Sequence, residues 1–152
     1  MKPQGVKPQK ETFASITAEF LGKPWSDTGI GPDAYNCIGF CYAFLKRTGK
    51  QVDDDVWMNQ QINAINYLEF RAKDPKKTVE WLIDVFLHIG EEVPVNKKTA
   101  GDFIIFQDQN KRFHPAIYTG NGQFMTSHRE LGVRVFTFEG DAIKPVLVRR
   151  LR

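Results

Sequence analysis

Leu21-Gly22-Lys23-Pro24-Trp25 leads, through a loop rich in Gly, Pro and Asp, to Tyr35-Asn36-Cys37-Ile38-Gly39-Phe40. The second block sets a thiol between that loop and an apolar helical run. A thiol so placed lies at a helix N-terminus, where exposed backbone N–H groups and the helix dipole favour a thiolate. Far downstream, His114 opens a strand-like segment, His114-Pro115-Ala116-Ile117-Tyr118-Thr119-Gly120-Asn121-Gly122. A cysteine and a distant histidine are the minimum for thiol acyl-transfer chemistry. Taken alone, Cys37 reads as a buried core cysteine; its surroundings make it a candidate nucleophile.

Outward from Cys37 the pattern divides into helices first and strands second. Residues 1–10 read as a flexible Pro/Lys/Gln tail. Phe13, Ile16, Phe20 and Leu21 fall at roughly helical spacing, so a first helix is expected over 12–21. Cys37 to Thr48 forms the central helix, with Phe40, Cys41, Phe44 and Leu45 inward and Gly49 as its stop. Residues 52–98 read as an insertion of two helices. Trp57, Ile62, Ile65, Leu68 and Phe70 mark the first, and Val79, Leu82, Ile83, Phe86 and Leu87 the second, which ends at Gly90. His88, in its last turn, suits a helix C-terminus. From residue 102 the period becomes that of strands: 102–107, 113–119, 123–128, 133–138 and 145–151, with Gly120-Asn121-Gly122 a strong hairpin signal. The expectation is an α+β domain over 11–152, helices first and a five-stranded antiparallel meander second.

Composition bounds the partners. The chain has 152 residues, 41% hydrophobic and 26% charged, with a net charge of +3. That is ordinary for a globular domain and too little positive charge for a nucleic-acid footprint. Cys37 and Cys41 share a helix face but are poorly directed for a disulfide, and no zinc-ligand spacing is present. Cys41 reads as a small buried apolar residue. No metal site and no cofactor are expected. The first residues carry no apolar run, and no segment reaches the ~20 apolar residues of a membrane span. A soluble protein is expected, whether cytoplasmic, phage-associated or exported by another route.

These blocks resemble NlpC-type cysteine peptidases, papain-like hydrolases that mainly cut peptide bonds of bacterial cell walls. Leu21-Gly22-x-Pro24-Trp25, Gly29, Pro32 and Tyr35-Asn36-Cys37-x-Gly39-Phe40 line up with the family's cysteine block. Ala100-Gly101-Asp102-Phe103-Ile104-Ile105-Phe106 is similar to its next strand, His114-x-Ala116-Ile117-Tyr118-x-Gly120-Asn121-Gly122 to its histidine strand, and Gly132-Val133 to the strand after. The resemblance implies a papain-like fold with the cysteine helix packed on the sheet that carries the histidine, Cys37 as nucleophile, His114 as its acid–base partner and a peptide or peptidoglycan fragment as substrate. It also implies a polar residue on the neighbouring strand that orients the histidine. Thr126 stands at that position, with His128 on the same strand face one rung farther along. Three arrangements are open: Thr126, His128 through a slipped register, or a backbone carbonyl. His128 is preferred as the usual chemical type.

The chain departs from the family beside the nucleophile. Asn36 and Ile38 stand where Asp and Ser are common, and Trp25 where a tyrosine is usual. All three are candidates for shaping substrate binding. Asn36 cannot supply the charge that holds a free amino terminus, which shifts the expected substrate away from such peptides. Two further readings stand beside the amidase: a non-catalytic binding module on the same fold, and an acyltransferase using the same thioester chemistry.

Overall fold

The computed structural model describes residues 12–59, 86–140 and 142–152. Helix α1 (Phe13–Phe20) starts where the Thr12 side chain accepts the Ser15 N–H, and it buries Ile16 and Phe20. Helix α2 (Cys37–Arg47) starts at Asn36, whose side chain accepts the Gly39 N–H at 2.7 Å. Such caps satisfy backbone donors that the helix itself leaves unpaired. Lys46 and Arg47 lie in the last turn, the favourable end for positive charge. The helix stops at Gly49, whose φ of +81° suits glycine.

The inward face of α2 carries Ile38, Phe40, Cys41, Phe44 and Leu45, all buried. Phe40 and Phe44 meet Phe20 of α1 at centroid distances of 5.6 and 5.4 Å, and Phe13 packs edge-on against Phe44. Each fully buried ring of this kind contributes about 1.5–3 kcal/mol. A second aromatic group joins Trp57, in the helical residues 54–59, to Phe86 and Phe103. The Asp53 carboxylate starts that helical stretch by accepting the N–H groups of Asp55 and Val56. The rest of the expected two-helix insertion, residues 60–85, lies outside the described residues, as does the expected tail.

The expected α+β architecture is present with one strand more. Strands β1 (Glu91–Glu92), β2 (Phe103–Gln107), β3 (Phe113–Gly120), β4 (Gln123–His128), β5 (Gly132–Thr137) and β6 (Lys144–Arg150) form one antiparallel sheet. Their order is β1-β6-β2-β3-β4-β5. The extra strand is β1, a pair of exposed glutamates with no apolar alternation to reveal it. It is held by its partners: Glu91 and Glu92 lie opposite Arg150 and Arg149 of β6. His88 lies in a turn just past the helical Phe86 rather than within the helix.

Strand β2 is buried along nearly its whole length because both faces of the sheet are covered at its centre. Phe103 and Ile105 join Ile117, Met125 and Val133 under α2. Ile104 and Phe106 face the other way, with Ala116, Tyr118, Phe124 and Val148. No helix among the described residues is long and apolar enough to cross a membrane.

The loop between α1 and α2 is bound to the sheet at several points. Gly22 N–H donates to the Val133 carbonyl and Val133 N–H to the Lys23 carbonyl, at 2.9 and 2.8 Å. The buried Ser127 hydroxyl of β4 donates to the Tyr35 carbonyl at 2.7 Å. Asn36 N–H donates to the Gly29 carbonyl, which lies so close to α2 that a Cβ on Gly39 would sit 2.1 Å from it. Only glycine fits there.

Gly39→Ala is therefore expected to force the loop off the helix. The cost of such overpacking is about 1–3 kcal/mol, read as a lower urea midpoint. An unchanged midpoint would show that the loop can retreat without loss.

Candidate active site

Cys37 occupies the first helical position of α2, where its side chain turns into a cleft between the helix start and the ends of β3 and β4. Trp25, Asp27, Asn36, Ile38, Asp108, Arg112, His114, Thr126, Ser127 and His128 line the same cleft. Cys37 and His114 thus line one cleft.

The electrostatics of the thiol differ from the expectation drawn from its helix position. Burial pushes the Cys37 thiol up to about 11, while the backbone N–H groups of Ile38 and of Cys37 itself act to lower it. Loss of water around the sulfur outweighs two backbone donors. At neutral pH the resting thiol keeps its proton. Cys41, one turn on, is fully buried and its thiol is raised further out of range. Both are free thiols, and Cys41 packs in the core as expected.

His114, at the start of β3, lies opposite Phe106 in the β2–β3 register, and its ring stacks on that phenylalanine at 5.0 Å. Its Nε2 lies 2.8 Å from Oδ2 of Asp108. The two β4 side chains expected beside the imidazole have their described hydrogen bonds on other groups. Thr126 is buried and its hydroxyl donates to the Pro115 carbonyl at 2.9 Å. His128 is exposed, and its Nδ1 accepts the N–H groups of Glu130 and Leu131, closing the β4–β5 turn. Its ring lies 5.9 Å from that of Phe136 on the neighbouring β5.

Asp108 is the residue that the sequence reading missed. A signal existed in the register: once Phe106 pairs with His114, the residue two farther on, Asp108 just past the end of β2, comes diagonal to the imidazole. Its other oxygen, Oδ1, accepts the N–H groups of Asn110 and Arg112 at 2.8 and 3.0 Å. Burial acts to raise the Asp108 carboxyl. The hydrogen bond from His114, the Arg112 N–H, the charge of His114 and the Asn110 N–H more than offset that and hold it below its ordinary value.

The three candidate substrate residues divide. Asn36 is buried, with Oδ1 on the Gly39 N–H and Nδ2 on the Asp27 carbonyl, so both ends of its amide are committed to the fold. Ile38 is buried in the core beside α2. Trp25 is half-buried, and its indole N–H donates to the exposed carboxylate of Asp27 at 2.8 Å. Arg129 approaches the same carboxylate at 4.0 Å. Of the three, Trp25 keeps the fullest claim to a wall of the cleft. Among the described residues, no group of three or more His, Cys, Asp or Glu side chains is placed to hold a metal ion.

Comparison with known proteins agrees with this architecture. The NlpC/P60 family model matches residues 22–152. The fold is similar to the NlpC/p60 domain of the peptidoglycan hydrolase SagA, at 18% identity and a TM-score of 0.57, covering 90% of this chain and 94% of that one. It is similar also to NlpC1 from Trichomonas vaginalis, at 19% identity and a TM-score of 0.60, over 93% of this chain and 46% of that one. RipD from Mycobacterium tuberculosis, a non-catalytic NlpC/p60 domain protein adapted to peptidoglycan binding, matches at 17% identity and a TM-score of 0.50, over 90% and 92%. At these identities the likeness is one of fold. None of the curated proteins matches the sequence.

Two outcomes follow from the geometry. Asn36→Ala removes the acceptor for Gly39 and the donor for Asp27, and is expected to cost about 1–2 kcal/mol in urea unfolding. Asn36→Asp, which keeps the cap, should cost less; an equal loss would place the effect in the Asp27 contact alone. For the thiol, the rate of alkylation by iodoacetamide should keep rising with pH toward about 11. A plateau near neutral pH would mean that a thiolate is already stabilised at Cys37.

Proposed function

The chain belongs to the NlpC/P60 family, typically peptidoglycan hydrolases with some non-catalytic members, and from that premise we propose that it is a cysteine amidase or endopeptidase acting on cell-wall peptides. The observation that carries this reading is the shared cleft: Cys37 at the start of α2 with His114 across from it on β3.

The chemistry runs through a thioester. Because burial keeps the thiol protonated, His114 acts first as a general base. It takes the Sγ proton as sulfur bonds to the substrate's carbonyl carbon. The role falls to Nδ1, since Nε2 is committed to Asp108. The backbone N–H groups of Cys37 and Ile38, which already bear on the sulfur, are the donors nearest the developing oxyanion. His114 then returns the proton to the nitrogen as the C–N bond breaks and the amine departs. Water attacks the thioester with His114 again as base, and Sγ leaves, regaining its proton.

Substrate preference follows from what Asn36 cannot do. Its amide carries no charge and is spent within the fold, so it offers no ion pair to a free amino terminus. The cleft suits a substrate whose amine end is acylated or embedded in a longer chain. A second reading, a peptidoglycan-binding module, has its own observation in the raised thiol, which a binding protein has no need to lower.

Incubation with purified muropeptides followed by mass spectrometry tests both readings. Hydrolysis of an amide is expected. Cys37→Ala should lower it on the order of 10³-fold or more, while Cys41→Ala leaves the chemistry nearly unchanged. Binding without cleavage by the unsubstituted protein would establish the module instead. Matched substrates with free and N-acylated termini should be cut at rates within several-fold of each other. A preference for the free amine as large as a charged hydrogen bond, ~1.5–3 kcal/mol, would overturn the specificity argument.

A further inference from the structure

We propose that Asp108 is the positioning residue of His114, a role supplied by the β2–β3 hairpin in place of a β4 side chain. The inference deepens the amidase reading and rests on it for the identity of the base, although the contact itself can be tested without turnover.

Three features make Asp108 suited to this work. First, Oδ2 meets Nε2 at 2.8 Å, within the range of a charge-assisted hydrogen bond. Second, the carboxylate is held before any substrate arrives. Its Oδ1 is pinned by two backbone N–H groups, and the hairpin is closed by Asp108 N–H to the Arg112 carbonyl and Lys111 N–H to the Asp108 carbonyl, both 2.9 Å. An acid anchored through one oxygen presents the other at a fixed place. Third, the ring plane is set independently, because Phe106 stacks under His114 and itself packs on Phe124 at 4.4 Å.

The consequences are chemical. An anionic acceptor on Nε2 favours the tautomer that carries its proton there, which leaves Nδ1 as the basic nitrogen. The same carboxylate stabilises the imidazolium formed when His114 removes a proton. The described hydrogen bonds of the two β4 candidates run elsewhere: the Thr126 hydroxyl donates to Pro115, and His128 Nδ1 accepts from the turn it caps. The remaining titratable or charged groups on the cleft are Cys37 of α2, Asp27 of the loop, Arg112 of the hairpin, and His128, Arg129 and Glu130 at the end of β4. Of these and Asp108, Asp108 is the one with a described hydrogen bond to Nε2.

Asp108→Asn separates positioning from architecture. The amide oxygen can still take the turn N–H groups, but its NH₂ group cannot accept from Nε2–H. The expected result is a fall in kcat on the order of 10²-fold or more with KM little changed, and an unfolding midpoint near that of the parent. Measured by NMR in a Cys37→Ala background, the titration of the His114 ring should move down by about one pH unit or more, because a neighbouring anion is lost. His128→Ala and Thr126→Ala should move it much less. An unmoved His114 titration in Asp108→Asn overturns the proposal, and so does a larger shift from either β4 variant. If the parent cuts no muropeptide but the titration moves as expected, the positioning stands and the amidase reading fails. Should Asp108→Asn not fold, Asp108→Ser retains a turn-capping oxygen and carries the same readouts.

Discussion

The buried amide of Asn36 is the joint on which the site depends. A helix start needs an acceptor for its unpaired N–H groups, and a loop crossing above it needs donors for its carbonyls. Asn36 answers both at once, capping Gly39 with its oxygen and holding the Asp27 carbonyl with its nitrogen. Its own backbone N–H reaches the Gly29 carbonyl. That carbonyl lies over Gly39, and the loop that carries it is stitched to β4 through Ser127 and to β5 through Val133. The position of Cys37 is thus set by an amide, a glycine and a few carbonyls together with its packing against the core.

Once the thiol is fixed, two opposed effects decide its charge. The start of a helix offers backbone donors, but the same packing that creates the helix start removes water from the sulfur. At Cys37 the second effect wins and the thiol is held near 11. At Asp108 the balance falls the other way, because a carboxylate with the His114 ring on one oxygen and two N–H groups on the other gains more from its partners than burial costs. The cleft therefore rests with a neutral sulfur and an anionic carboxylate, the imidazole bonded to the latter. Proton transfer through His114 fits this distribution without requiring a preformed thiolate.

The second face of the sheet supports the histidine from below. Phe106, Phe124, Phe136 and Phe138 form a continuous run of rings, with Phe124 at 5.6 Å from Phe136 and 4.8 Å from Phe138. His114 is the polar end of that run, stacked on Phe106 and with its side chain still 35% exposed. Packing thereby links the apolar interior to a part-exposed imidazole on the cleft.

The α+β class, the central helix and its stop, and the turn between β3 and β4 were legible in the residues alone. These rest on local rules: helical spacing of Phe40, Phe44 and Leu45, the glycine at 49, and the Gly120-Asn121-Gly122 turn. The sequence did not reveal β1, since Glu91 and Glu92 form a strand only because β6 lies beside them. Nor did it place the partner of His114. His128 has the right chemistry and the right strand, but three-dimensional context spends its Nδ1 on backbone donors of its own turn. Asp108 reads as a turn residue until the Phe106–His114 register carries it to the imidazole. The charge of Cys37 belongs to the same class: a helix N-terminus is legible in a string of residues, but the water lost around a sulfur is decided only when the chain has packed.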